Sequence, residues 1–193
     1  MKNQAGRYIV LILIGFFIVA SSFSQQRKFI YDVMRNGKTI GAITFTELIK
    51  GQKKYLKMAS DVKTTFIFSV TDHTVETAHF DKGIMLYASF KQQQTGSDDV
   101  NKTTTASGKH YKISDNGASK LIAIPPIRYN TLLLYTTVPK NINKVYSANF
   151  QKLLDIKKLA ENKYRLILPD GKFNDYTYKN GICTNVEIVR SMF

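Results

Sequence analysis

A chain of 193 residues with a formal net charge of +14, 12 Phe, 11 Tyr, no Trp and one Cys can bury one real core. It has no second cysteine with which to close an internal disulfide, so packing must hold the fold. The charge is scattered lysine rather than an arginine-rich arm, which in an exported protein favours anionic lipid head groups, glycans or acidic proteins over nucleic acid, or is a solvated surface with no partner.

Export is the reading of the first segment. Lys2 and Arg7 precede an unbroken apolar run, Tyr8 to Ala20, and Ser22 and Ser24 stand at the two small-residue positions of a signal peptidase site. The run has 13 residues, short of the roughly 20 that a membrane-spanning helix needs. The expectation is therefore a signal peptide over 1–24, cleaved before Gln25, and a single domain over 25–193. With no cysteine beside the cleavage point, lipid attachment is not expected, and the mature chain is expected to be a soluble periplasmic or extracellular protein. Its formal charge is then +12, because Lys2 and Arg7 leave with the signal.

The next segment, Arg35 to Phe45, contains Gly37-Lys38-Thr39 and raises the question of a phosphate loop. Such a loop needs a glycine five residues before its Gly-Lys-Thr, and that position is Asp32, whose carboxylate repels phosphate. The flanks alternate instead, with Phe29, Tyr31 and Val33 before and Ile43 and Phe45 after. Asn36-Gly37 between two such runs is a hairpin turn.

The same punctuation continues through Lys50-Gly51, Lys82-Gly83, Thr95-Gly96, Ser107-Gly108, Asn116-Gly117, Asp170-Gly171 and Asn180-Gly181. Between these lie short runs rich in Val, Ile, Thr, Tyr and Phe. About eleven or twelve antiparallel strands are expected, in an all-β meander rolled into a half-barrel, barrel or sandwich. One stretch breaks the pattern. Pro125-Pro126 stand before Asn130, Thr131 and the apolar run Leu132 to Tyr135, and Pro139 stands behind, so a short helix near 130–136 is expected against the sheet. A further strand between proline ends is the alternative there.

Chemical constellations are sparse. The chain has no Gly-x-Ser-x-Gly, His-Glu-x-x-His, Cys-x-x-Cys or Gly-x-Gly-x-x-Gly. His73 and His79, with Asp72 and Glu76, form the one metal-like cluster, but six residues of straight strand hold the histidines about 20 Å apart. His110 reads as structural. Asp98 and Asp99 are adjacent and point to opposite faces of a strand. Cys183 has no base near it in sequence and reads as a half-buried small hydrophobe. No enzyme activity, metal or cofactor is expected.

The aromatic residues are the remaining candidates. Phe66, Phe68, Tyr87, Phe90, Tyr135 and Tyr164 would fill a core or line an apolar cleft for a ligand. Lys53, Lys54, Lys57, Lys157 and Lys158 would supply a basic surface.

The order "FIYDVMRNGKTIGAITF", "SDVKTTFIFSV", "FDKGIMLYASF", "LLLYTTVP" and "YRLILPDGKFNDYTYKNGICTNVEI" resembles a family of exported bacterial proteins described as a domain of unknown function. The "NGKTIG" opening and the closing Tyr-x-Tyr-x-Asn-Gly hairpin carry most of that likeness. The layout is similar to periplasmic half-barrels of the lipoprotein-carrier type, which implies an incomplete barrel whose concave apolar face, gated by a short helix, shelters acyl chains. The family brings no assigned activity.

Three functions are weighed in consequence. The first is a non-enzymatic periplasmic protein that binds a lipid or other hydrophobic ligand in a β cleft and approaches anionic membranes. The alternative is a cell-envelope interaction or assembly module with a filled core and a protein partner. The third is a small outer-membrane barrel ending on Phe193, which the lysines and aspartates on both faces of many strands argue against.

Overall fold

The computed structural model describes residues 24–65 and 69–189. The apolar run Tyr8 to Ala20, on which the signal-peptide expectation rests, and the candidate residues Phe66 and Phe68 lie outside the described residues. Eight strands come first: β1 (Ser24–Arg35), β2 (Lys38–Lys50), β3 (Lys53–Thr65), β4 (Ser69–Asp81), β5 (Ile84–Gln94), β6 (Val100–Ser107), β7 (His110–Asp115) and β8 (Ala118–Ile122). Each pairs with the next in an antiparallel meander, so the sheet runs β1 to β8 in chain order. A 3-10 helix, Thr131–Tyr135, follows. The chain then lays down β9 (Lys144–Ser147), β10 (Lys152–Ala160), β11 (Lys163–Ile167), β12 (Phe173–Lys179) and β13 (Ile182–Val189), a second sheet ordered β13-β12-β11-β10-β9.

The all-β antiparallel expectation holds, with thirteen strands among the described residues and two sheets that do not close into one barrel. Proline is the physical reason for the division. Three of the four prolines, Pro125, Pro126 and Pro139, stand between β8 and β9. A residue without an N–H cannot extend a ladder, and what remains there is one isolated parallel bridge, Asn130 to Tyr146.

The turns fold for local reasons. Asn36-Gly37, Lys82-Gly83, Asn116-Gly117 and Asn180-Gly181 each have both central residues at positive φ. That is the two-residue turn whose twist matches paired strands. Between turns, residues two apart share a face. On β4 the buried face is Thr74, Glu76, Ala78 and Phe80. Register carries that face across to Ala88 and Phe90 of β5 and to Leu56 of β3.

The core has two parts, and the 3-10 helix belongs to both. Leu132, Leu133 and Tyr135 pack with Phe45, Leu56, Phe80, Met85, Phe90 and Tyr146 against the first sheet. Leu134 packs with Val145, Leu154, Tyr164, Leu166, Tyr176 and Tyr178 against the second. With three residues per turn, successive side chains leave the axis in different directions, so one short helix can serve two sheets. Its first turn is fixed by the Asn130 side chain, which accepts from Leu133 N–H at 3.2 Å. Burying Leu132 and Leu134 completely contributes about 1.5–3 kcal/mol each.

Polar ties complete the assembly. Thr104 of β6 and Tyr146 of β9 share a hydroxyl hydrogen bond of 2.8 Å in the interior. At the far edges the Tyr31 hydroxyl donates to Cys183 C=O at 3.1 Å, joining β1 to β13. No helix among the described residues is long and apolar enough to cross a membrane, a statement about helices alone.

Candidate functional site

The buried face of the first sheet is where a cleft ligand would sit, and it carries two carboxylates. Period-two alternation puts Glu47 on the same face as Phe45, and Glu76 on the same face as Ala78. Both are buried, Glu47 completely. A buried charge needs partners or must be neutralised, and the two residues meet that demand differently.

Glu47 keeps company with cations. Arg27 of β1 donates through Nε at 2.7 Å and through Nη2, Lys54 of β3 lies at 3.1 Å, and the Thr136 hydroxyl donates at 3.3 Å. Glu76 instead receives the Thr131 hydroxyl at 2.8 Å. Burial pushes its carboxyl up to about 7, a rise the Thr131 hydrogen bond partly offsets. The two glutamates thus hold the two ends of the 3-10 helix on the sheet.

The space between them is occupied by rings. Tyr135 stacks on Phe45 at 5.1 Å between centroids, meets Tyr31 edge-on at 5.5 Å, and meets Tyr176 edge-on at 6.4 Å. Such pairs add about 0.5–1.5 kcal/mol beyond area burial. Burial and the neighbouring Tyr176 push the Tyr135 hydroxyl well above its ordinary value.

The structure distributes the sequence candidates rather than gathering them. Phe90 and Tyr135 meet in the first core cluster, and Tyr164 lies in the second with its ring edge-on to Tyr178 at 5.8 Å. Tyr87 is on the opposite, outer face, half-buried beside His79 at 5.3 Å. Residue parity separates Tyr87 from Phe90 on one strand, a signal already present in the sequence.

The lysines divide by the same rule. Lys53, Lys57, Lys157 and Lys158 are exposed. Lys54 corrects the surface assignment, because it shares a face with Leu56 and Met58 and turns in to Glu47. Glu47 itself, with Arg27, is the functional-looking cluster that motif reading missed, since its members come from three different strands.

The remaining chemistry-bearing residues stand apart. His73 pairs with Asp61 at 2.5 Å, and His79 sits between the rings of Tyr55 and Tyr87. Burial lowers the His79 pKa. No group of three or more His, Cys, Asp and Glu among the described residues is placed to hold a metal ion. Asp98 and Asp99, expected on a strand, lie instead in the loop between β5 and β6, where Asp99 takes the amide of Gln93 at 2.9 Å. Cys183 is buried, and burial pushes its thiol up to about 11.

Two shallow grooves lie on the outside. One, of about 250 Å³, is lined by Gln26, Thr46, Leu48, Tyr55, Lys57 and His79 on the outer face of the first sheet. The other, of about 430 Å³, lies between β7–β8 and the turn before β10, with Ile113, Phe150, Lys120 and Lys152 in its lining. What this arrangement does chemically is hold: its buried acids already have partners, and its open surface lies outside the core.

No curated protein and no solved structure matches the chain. Residues 31–193, which span both sheets and the 3-10 helix, match the family described as a domain of unknown function, DUF6134, and the chain belongs to that family.

Proposed function

We propose that the protein is an exported, non-enzymatic interaction module of the cell envelope that engages a protein partner through its surface. One observation carries this reading. The inner face of the first sheet, where a ligand would sit, is filled by the chain's own Leu132, Leu133, Tyr135 and Tyr146, two of them with no exposed surface. Interiors packed to that degree leave no room for a guest without moving the 3-10 helix. The exported state rests on the leader sequence.

The test is affinity capture from the host's own envelope extract at low salt, with the tagged full-length product as bait. A partner recovered in stoichiometric amount and lost on salt addition supports the module. Failure to recover any partner overturns it.

A second reading is favoured by one specific feature, the attachment of the 3-10 helix through Thr131–Glu76 and Thr136–Glu47. A helix of five residues has little stability of its own. Its release would uncover the aromatic face of the first sheet for a hydrophobic ligand. Native mass spectrometry with solvent extraction, on protein purified from its host, decides this: a reproducible lipid mass supports the ligand reading, and a bare polypeptide mass removes it.

A further inference from the structure

β8 is the last strand of the first sheet, and among the described residues it pairs with β7 alone. Residues Ala118 to Leu121 are all exposed. Asp115 faces Ala118 across the two-residue turn Asn116-Gly117. In such a hairpin the pair flanking the turn is hydrogen-bonded and the next is not. Ser119 and Leu121 therefore turn their N–H and C=O groups away from β7, as an open edge that can accept another strand.

The larger groove lies along the inner side of that edge. Ile113 and Phe150, the latter 39% exposed, give it apolar surface, and Lys120 and Lys152 give it charge. Its far wall is held firmly. Gln151 adopts φ of 51°, in the left-handed region, and its side-chain amide donates to Thr103 C=O at 3.0 Å and Ser114 C=O at 2.8 Å. Lys102 donates to Asn149 C=O at 2.9 Å from the same side. A non-glycine residue held at positive φ beside a groove is strain maintained by its surroundings.

Charge decides the occupant. The groove's one acid, Asp115, lies 3.6 Å from Lys102, whereas Lys120 and Lys152 have no ion pair among the described residues. A second copy paired edge to edge about Lys120 would set like charges against each other, which is unfavourable. We propose that the β8 edge and this groove dock an extended acidic segment of an envelope protein. The segment adds as a ninth strand, places an apolar side chain against Ile113 and Phe150, and aims carboxylates at Lys120 and Lys152. This rests on the interaction-module reading and names its surface. Main-chain hydrogen bonds supply affinity in strand addition, and alternate side chains supply specificity.

The test uses the purified full chain and two labelled peptides, one alternating Val with Glu and the other alternating Val with Lys. The acidic peptide is expected to bind in a salt-sensitive way and to slow hydrogen exchange at Ser119 and Leu121, while the basic one does neither. Lys120→Glu with Lys152→Glu is expected to weaken binding at least about tenfold. Leu121→Pro, which removes an outward N–H from an edge strand, is expected to abolish it at unchanged Tm. Equal binding of both peptides overturns the proposal, as does slowed exchange confined to other strands. Self-association through β8, or protection of these amides by phosphatidylglycerol vesicles without the acidic peptide, overturns it as well. Exchange on the unmodified protein keeps the test open if a variant fails to fold.

The same variants separate this proposal from the reading it rests on. An envelope partner still captured by both variants leaves the module standing and removes the β8 site. Acidic-peptide binding at β8 with no envelope partner captured leaves the site and removes the module.

Discussion

The hydroxyl of Thr131, the first residue of the 3-10 helix, donates to a buried oxygen of Glu76 in the middle of β4 at 2.8 Å. Apolar packing from both sheets seats that helix, but this bond fixes its rotation, since it joins one end of the helix to one row of the sheet. With Thr136 on Glu47 at the other end, both termini are specified.

Glu76 makes stability depend on pH. Its carboxyl stands at about 7 in the folded chain against an ordinary value of 4.5, so folding favours the protonated form. The contribution is fully present below about pH 4.5 and is lost as pH rises through 7, a change on the order of 3 kcal/mol. Glu76→Gln is expected to remove this slope and to stabilise the protein at pH 8 relative to wild type. Urea unfolding at pH 5 and pH 8 measures it, and equal slopes in the two proteins would refute the assignment.

Arg27 and Glu47 are a different arrangement, a buried acid set among cations. Arg27→Met leaves a fully buried carboxylate with Lys54 as its remaining ion partner, and is expected to cost about 3 kcal/mol. Adding Glu47→Leu to that variant is expected to restore part of the loss. A double-mutant cycle by chemical denaturation checks both; a cost within about 0.5 kcal/mol would mean that the cluster is not energetically coupled.

Gly41 tests close packing between strands. A Cβ there would meet the Asp61 carbonyl and come within 2.8 Å of Val62 Cα, backbone that cannot swing aside. Gly41→Ala is expected to cost about 1–3 kcal/mol through overpacking. Gly37 lies in open space at φ of 74°, so Gly37→Ala costs conformational strain alone, on the order of 1 kcal/mol. Thermal unfolding of the pair is expected to rank Gly41→Ala the lower.

Cys183 is expected to be silent in the folded protein. It is 1% exposed and its thiol is pushed up to about 11, so the nucleophilic thiolate is scarce and shielded at neutral pH. Labelling by a disulfide reagent is expected to proceed at the rate of unfolding rather than of thiol exchange. Immediate modification in buffer would contradict this burial.

Much of the fold was legible because its causes are local. Asn36-Gly37, Asn116-Gly117 and Asn180-Gly181 mark turns by the freedom of those residues at positive φ, whatever lies elsewhere in the chain. Alternation on β4 assigns Phe80 to the core and His79 to the outer face by parity alone. The prolines around Leu132 to Tyr135 announce an interruption, and the structure places the 3-10 helix there.

What only tertiary structure decided depends on register between distant segments. Whether the aromatics line a cleft or fill a core rests on where the 3-10 helix lands, and that is set by Thr131 on Glu76, 55 residues away in sequence. Lys54 reads as one lysine of a surface cluster until strand pairing brings Glu47 and Arg27 to it. Turn chemistry and side-chain alternation act over a few residues, so they are written in the sequence. The partners of a buried charge are chosen by the whole fold, because desolvation is imposed by every element that closes over it.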